Sequence, residues 1–211
     1  MECLKVIDTR RAIMRLKELL IDLRYGIVDL MGDHESIVVS LTRVVSLLST
    51  NDRYLTITTP AFWRKHNLGV QGRFLSANRH AVLQNGAAIR RLFLITRGDL
   101  AREPELADIV AAQLSLERDT QKRRQNRNCG TYEVRFMQVS DSQRKKLLSE
   151  GMNFGVLVKG RDRILLAIDY AKDGRIGGIQ FRTDANLARN HEQEFLTQFT
   201  SAYPLSELCV E

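Results

Sequence analysis

The residues best suited to bind a small molecule stand where predicted strands end. Trp63, the only tryptophan in the chain, follows the first predicted strand and lies beside Arg64 and Lys65. An indole ring next to cations can line a pocket by stacking, and open α/β sheets bind ligands beyond the carboxyl ends of their strands. The sequence therefore predicts a site for a small anionic or polar ligand, formed by Thr58, Thr59, Trp63, Arg73, Thr96 and Arg97. A second interpretation makes Trp63 a core aromatic that fixes its loop.

Positive charge is concentrated in the middle third of the chain. The sequence has 32 basic and 25 acidic residues, a net charge of +7. Residues 61–130 carry 13 basic and 6 acidic residues, and the segments on either side are neutral. Such a concentration suits a phosphate-rich partner, because neutralised phosphates release counterions. A nucleic-acid site would use Arg118, Lys122, Arg123, Arg124 and Arg127, which lie in a predicted loop over residues 118–130. The alternative interpretation of this run is a solvated, flexible loop.

Motifs for covalent, metal or nucleotide chemistry are not found. The sequence has no GxSxG, no P-loop and no GxGxxG pattern, and Asp162, Asp169 and Asp173 are typical turn carboxylates. Its three cysteines are widely spaced, as free thiols in a reducing cytoplasm would be. No apolar run approaches the roughly 18–20 residues that a membrane helix needs. We therefore expect a cytoplasmic protein with no membrane partner, no metal and no cofactor.

The elements that position these residues follow from apolar periodicity. Three predicted strands alternate with helices and should pair in parallel through right-handed crossovers. A hairpin, one more strand and a last helix follow them. The pattern predicts an α/β fold with a single mixed, mainly parallel sheet and flanking helices. The predicted parallel strands are Tyr54–Thr58, Ala88–Thr96 and Thr131–Val139.

The first residues of the chain have a different pattern. Apolar residues recur at helical spacing over residues 8–25, and Ile27–Met31 could continue this helix after a kink. We predict an N-terminal helical arm over residues 1–31 that mediates homodimerisation or contacts another partner. Residues 32–211 would then form one α/β domain.

Several segments together resemble the phospholipase D-like fold. The run from Arg73 to Ile95 is similar to a helix, small turn and apolar strand of that fold, and Gly32–Ile37 with Tyr54–Pro60 is similar to its start. The resemblance covers roughly residues 32–200. It extends to the non-catalytic versions found in transcriptional regulators, where a coiled helix precedes a ligand-sensing domain.

The catalytic motif of that family has no counterpart in this sequence. The motif is His-x-Lys, four residues, then Asp, in which the histidine takes the phosphoryl group and the lysine steadies the phosphate charge. The corresponding positions are Asn153, Gly155 and Gly160. None of the four histidines begins the motif elsewhere. The resemblance therefore implies a domain without phosphodiesterase activity.

Three functions are compatible with the sequence. The first is a non-catalytic sensor or regulatory domain that binds a small anionic or polar ligand at the sheet edge. The alternative is a nucleic-acid-associated protein that holds phosphates through residues 61–130. A divergent phosphodiesterase is the third, and the missing motif disfavours it.

Overall fold

The computed structural model describes residues 27–31, 34–63, 68–102, 105–124, 129–149, 154–170 and 176–208. Six α-helices lie in these ranges: α1 (His34–Ser46), α2 (Leu68–Leu83), α3 (Arg97–Arg102), α4 (Leu106–Arg124), α5 (Asp141–Ser149) and α6 (Ala185–Ser201). The strands are β1 (Ile27–Met31), β2 (Arg53–Thr58), β3 (Ala88–Ile95), β4 (Thr131–Gln138), β5 (Phe154–Lys159), β6 (Asp162–Tyr170), β7 (Ile176–Arg182) and β8 (Tyr203–Pro204). Single 3₁₀ turns span Pro60–Trp63 and Leu205–Glu207.

The strands form one mixed sheet in the order β1-β7-β6-β5-β2-β3-β4-β8. The α/β fold with a single mixed sheet and flanking helices is confirmed, as is parallel pairing of β2 with β3 and of β3 with β4. All other described pairings are antiparallel. The sheet is thus less parallel than predicted, because the C-terminal half adds strands through a hairpin and an antiparallel return rather than through helical crossovers.

Each face of the sheet has its own apolar core. On one face, Tyr54, Ile89 and Phe93 pack under α1, α2 and α4. On the other, Leu55, Leu92 and their neighbours pack against α6. The central strands are buried on both sides, which explains their near-continuous apolar sequence. The predicted last helix is α6, which buries Phe195 and Phe199.

The chain before residue 32 contributes a strand to the sheet. Ile27–Met31 pairs antiparallel with β7 at the sheet edge, so the predicted continuation of a helix through these residues is wrong. Five apolar and acidic residues are too few for helical and strand periods to differ clearly. The predicted helix over residues 8–25 lies outside the described residues, and its role in dimerisation stays a prediction.

Two helices extend beyond their predicted limits. The segment predicted as a basic loop from residue 118 is the last part of α4, which continues to Arg124. Arg, Lys and Gln have high helix propensity, and the buried Leu116 and Thr120 hold this part of α4 against the domain. Helix α2 begins at Leu68, before Arg73, where the run that resembles a helix, small turn and strand begins. None of the described helices is long and apolar enough to cross a membrane.

Candidate functional site

An arginine is buried at the centre of the sheet. Arg91 lies in the middle of β3, beside Thr56 of β2 and Val134 of β4. Its exposed fraction is 0%. Arginine keeps its charge at every physiological pH, so β3 places a permanent positive charge inside the larger apolar core.

The guanidinium of Arg91 is held by neutral side chains from three elements. Nη1 donates to Oε1 of Gln113 on α4 at 2.7 Å and to the hydroxyl of Tyr132 on β4. Nη2 donates to Oδ1 of Asn78 on α2 at 3.1 Å. The Tyr132 hydroxyl in turn donates to Gln113, and Asn78 donates to the Phe74 carbonyl. This network, which we call the Arg91 cluster, consists of Arg91, Asn78, Gln113 and Tyr132.

Aromatic rings cover the guanidinium. Its carbon lies 4.6 Å from the centroid of Trp63 and 5.9 Å from that of Phe74. Phe62 packs edge-on against both of these rings at centroid distances of 5.0 and 6.1 Å. Cation–π contact of this kind offsets part of the cost of burying the charge.

The charge of Arg91 has no acidic partner in the part of the chain that the structure describes. Every ion pair of the described residues joins other groups, and no carboxylate lies within 4.0 Å of the guanidinium. The Nε–H of Arg91 and the side-chain nitrogen of Gln113 also lack acceptors in the described part of the chain. Buried charges are normally paired, so this cluster has an excess of one positive charge and of hydrogen-bond donors.

A small cavity adjoins the guanidinium. The centre of a water molecule can occupy a volume of about 10 Å³ in this cavity. The cavity therefore has room for about one water molecule. Threonine hydroxyls and apolar side chains share its wall with the arginine. The lining residues are Leu41, Tyr54, Thr56, Thr58, Phe62, Trp63, Phe74, Arg91 and Ile168.

Two tyrosines of this region titrate unusually. Burial raises the pKa of Tyr132 to about 12, although the nearby charge of Arg91 acts in the opposite direction. Burial also raises the pKa of Tyr54 above its ordinary value. Both hydroxyls therefore stay protonated, and Tyr132 remains a donor to Gln113, at neutral pH.

The raised pKa of Tyr132 predicts a loss of stability in alkali. Between its ordinary pKa of 10.0 and its folded value of about 12, the folded state keeps a proton that the unfolded chain releases. Stability therefore falls as pH rises through this window, by up to about 1.4 kcal/mol per pH unit for one group. We expect Tyr132→Phe to reduce this slope in urea unfolding series, leaving the contribution of Tyr54. A slope unchanged in the variant would contradict the assignment.

The structure brings together part of the predicted ligand site. Trp63 Nε1 donates to the Thr58 hydroxyl at 3.2 Å, and both residues line the cavity. Thr59 is buried beside them, and its carbonyl accepts from Phe62. Arg73, in contrast, is exposed on α2. Trp63 is a core aromatic, as the second interpretation had it, and its ring also covers Arg91.

The other two predicted residues lie elsewhere and have local contacts. Thr96 is buried and caps the start of α3: its hydroxyl accepts from Asp99 N at 3.2 Å, while its own N–H donates to the Asp99 carboxylate at 2.8 Å. Arg97 is exposed. Asp99 also pairs with Arg144 at 2.5 Å. This part of the carboxyl edge therefore holds carboxylates, which do not suit an anion.

Two positions of the missing catalytic motif are occupied by glycines with structural roles. Gly155 lies in β5, and a Cβ there would lie 2.9 Å from a ring carbon of Tyr54. Gly160 turns β5 into β6 with a φ of +59°. Asn153 lies outside the described residues. At position 155, Tyr54 occupies the space that a longer side chain would need.

The C-terminal turns of α4 carry the basic run. Arg118, Lys122, Arg123 and Arg124 are exposed, and none of them forms an ion pair with the described residues. Cations at this end of a helix also interact favourably with its dipole. Across the α2–α4 contact, Arg79 pairs with Asp119 at 2.6 Å. Arg127 lies outside the described residues.

Sequence reasoning missed Arg91 and its partners as a site. The sequence did contain a signal, since Arg90 and Arg91 interrupt an otherwise apolar strand predicted to be buried on both faces. Its partners come from separate elements and follow no spacing rule. Within the described ranges, no group of three His, Cys, Asp or Glu side chains could hold a metal ion.

Comparisons with known proteins show no family for this chain. No protein-family model matches it, and no curated protein matches it. Among solved structures it is similar to TrmBL2, an archaeal chromatin protein whose structure "shows a novel mode of DNA binding". The two chains share 11% identity with a TM-score of 0.39, over 95% of this chain and 65% of the other. So low a TM-score supports no conclusion about fold family or function.

Proposed function

We propose that this chain is a non-catalytic regulatory domain of phospholipase D-like fold that binds a small anionic ligand at Arg91. The observation that carries the proposal is a fully buried guanidinium with no carboxylate in ion-pair distance among the described residues. A bound anion would neutralise the charge and accept the unused N–H groups. This places the ligand deeper than the sheet edge, although Thr58 and Trp63 belong to both sites.

The composition of the Arg91 cluster favours binding over a purely structural role. A structural arginine is normally held by a carboxylate, because an isolated charge in a low-dielectric interior is costly. Here Asn78, Gln113 and Tyr132 hold the guanidinium in place without neutralising it. Such an arrangement preorganises a cation for an incoming anion.

The same residues argue for binding without turnover. The Arg91 cluster contains no general base, since its tyrosine has a pKa of about 12, and the family's nucleophile, lysine and aspartate positions hold Asn153, Gly155 and Gly160. A regulatory domain needs only a ligand and a partner, and we propose that the N-terminal segment supplies dimerisation in the cytoplasm.

A thermal-shift screen tests the proposal. Small carboxylates, inorganic anions, sugars and nucleotides are each added to wild type, Arg91→Met and Arg97→Met. At 100 times its Kd, a ligand adds about 2.7 kcal/mol to the free energy of unfolding, and we expect an anion to do so in wild type. The exposed Arg97 is the matched control, because its replacement should leave the shift intact. An equal shift in all three proteins, or none for any anion, would refute the proposal.

A second candidate function is nucleic-acid binding through the end of α4. The observation that favours it is the group of four exposed cations without ion-pair partners in the described residues. These side chains can therefore contact phosphates without first breaking an ion pair to a described carboxylate. This candidate depends on these side chains and not on the similarity to TrmBL2.

Salt dependence tests this candidate. If four phosphates are neutralised, the logarithm of affinity should fall with the logarithm of salt concentration at a slope of about −3 to −4. Arg118, Lys122, Arg123 and Arg124 are replaced together by Gln, and affinity for labelled DNA and RNA is measured by fluorescence anisotropy. We expect binding to weaken by about 100-fold and the slope to approach zero. The control variant removes the same number of positive charges from other exposed positions. It replaces Lys145, Lys159, Arg161 and Arg189 by Gln. Equal losses in both variants would indicate net charge rather than this surface.

A further inference from the structure

We propose, on the basis of the proposed anion site, that the ligand of the Arg91 cluster is a compact monovalent anion of about the size of a halide. Three features of the site define this class of ligand: the donors left over around Arg91, the net charge of the cluster and the space beside it.

The unused donors define what the ligand must supply. A guanidinium has five N–H groups, and three are used, by Gln113, Tyr132 and Asn78. The Nε–H has no acceptor in the described structure, and one Nη2–H is also left over. The amide nitrogen of Gln113 has no acceptor either, but Gln113 is not among the described residues that line the cavity. A ligand in the cavity must therefore accept from the N–H groups of Arg91, as an anion does.

A threonine hydroxyl on the cavity wall can also turn toward an anion. Thr58 donates a long bond of 3.5 Å to the Thr59 carbonyl while accepting from Trp63. A hydrogen bond of this length is weak, so the Thr58 hydroxyl can exchange its partner at little cost. Thr56 also donates a long bond, of 3.4 Å to the Ile57 carbonyl, but its side chain is in addition hydrogen-bonded to Tyr54.

The charge of the site selects a monovalent ion. Among the described residues that line the cavity, Arg91 is the only charged one, and its described hydrogen-bond partners are neutral. A single negative charge neutralises the cluster, whereas a dianion such as sulfate would leave a buried net charge of −1. Burying that excess charge away from water is unfavourable.

The size of the site selects a compact ion. A cavity of about 10 Å³ open to water centres admits one water, and a halide needs only a slight expansion. A sugar or nucleotide would have to displace Phe62, Trp63 and Phe74, which pack on one another and are each at most 6% exposed. Overpacking of such a core is unfavourable.

Trp63 provides a specific readout of this site. It is the only tryptophan, and its ring lies against the guanidinium. Bromide quenches indole fluorescence through its heavy atom, whereas chloride does so much less. A bromide ion bound beside Arg91 should therefore quench Trp63 in a saturable manner, and chloride should compete and restore the emission.

The experiment is a bromide titration of intrinsic fluorescence at constant ionic strength, balanced with sodium sulfate. Wild type is compared with Arg91→Met and Gln113→Glu. The second variant is nearly isosteric and places a carboxylate at the position that lies 2.7 Å from Nη1. It supplies the missing charge internally, so it should fold even if Arg91→Met does not. Caesium, a cationic quencher, controls for simple collisions.

We expect saturable, chloride-competed quenching in wild type and only weak linear quenching in Gln113→Glu and with caesium. Linear quenching of equal slope in wild type and Gln113→Glu would overturn the halide-sized ligand. If the thermal-shift screen still finds a carboxylate that stabilises wild type but not Arg91→Met, only the halide-sized ligand is refuted. If the screen finds no stabilising anion, the proposed function is refuted as well.

Discussion

Gly130→Ala is expected to destabilise the fold severely. Gly130 precedes β4, and its N–H donates to the Val82 carbonyl at 2.8 Å. A Cβ at this position would lie 1.7 Å from the Ala87 carbonyl oxygen and 2.6 Å from its carbon. Both are backbone atoms, just before the first pair of the β3–β4 ladder, Ala88 with Thr131, so no side chain can move aside to relieve the overlap.

The expected cost of Gly130→Ala is at least about 4 kcal/mol, which is exceptional for one substitution and a large part of a typical stability of about 5–15 kcal/mol. Gly72→Ala is the matched control. Gly72 is exposed in α2, and a Cβ there would meet no atom within 4 Å. Alanine at that position should add about 0.5–1 kcal/mol to stability. Urea unfolding followed by circular dichroism measures both. A Gly130→Ala protein as stable as wild type would show that the β3–β4 ladder starts differently.

Glu192→Ala should also destabilise the fold strongly. Glu192 lies on α6 with its side chain 4% exposed, and its carboxylate oxygens accept from Arg53 at 2.8 Å and from Arg163 at 2.6 Å. These bonds tie α6 to β2 and β6. Removing the carboxylate leaves two arginines without their anion, but both retain access to water. We therefore expect a loss of about 2–4 kcal/mol.

The neighbouring Glu194 supplies the control for this substitution. It is exposed on the same helix, and surface changes of this type stay within about 0.5 kcal/mol. Glu192→Gln should fall between the two, because it keeps the shape and loses the charge. Equal stability of the Glu192→Ala and Glu194→Ala proteins would show that the buried ion pairs contribute nothing.

The central strands could be predicted because a strand that is buried on both faces has a mainly apolar sequence. Ala88–Ile95 is apolar apart from Arg90 and Arg91, and parallel pairing with its neighbours followed from the alternation with helices. The position of Trp63 after β2 also followed from topology, as did its proximity to Thr58. These features depend on residues close together in sequence or on a general rule of sheet construction.

The Arg91 cluster could not be predicted for the opposite reason. Its members lie 13 to 41 residues from Arg91, on elements whose relative rotation no local pattern fixes. Counting charges grouped Arg91 with exposed basic residues, although its strand is buried. The strand Ile27–Met31 and the helical end of α4 were missed because short segments and charged runs carry little periodicity.

The most direct test of an anion at Arg91 is anomalous diffraction from crystals of the full chain grown with sodium bromide. We predict an anomalous peak in contact with the Arg91 Nε in wild type and no peak there in Gln113→Glu, where the introduced carboxylate replaces the ion. Fully ordered density for the Arg91 cluster with no bromide beside the guanidinium, at concentrations that quench Trp63, would contradict the proposed ligand site.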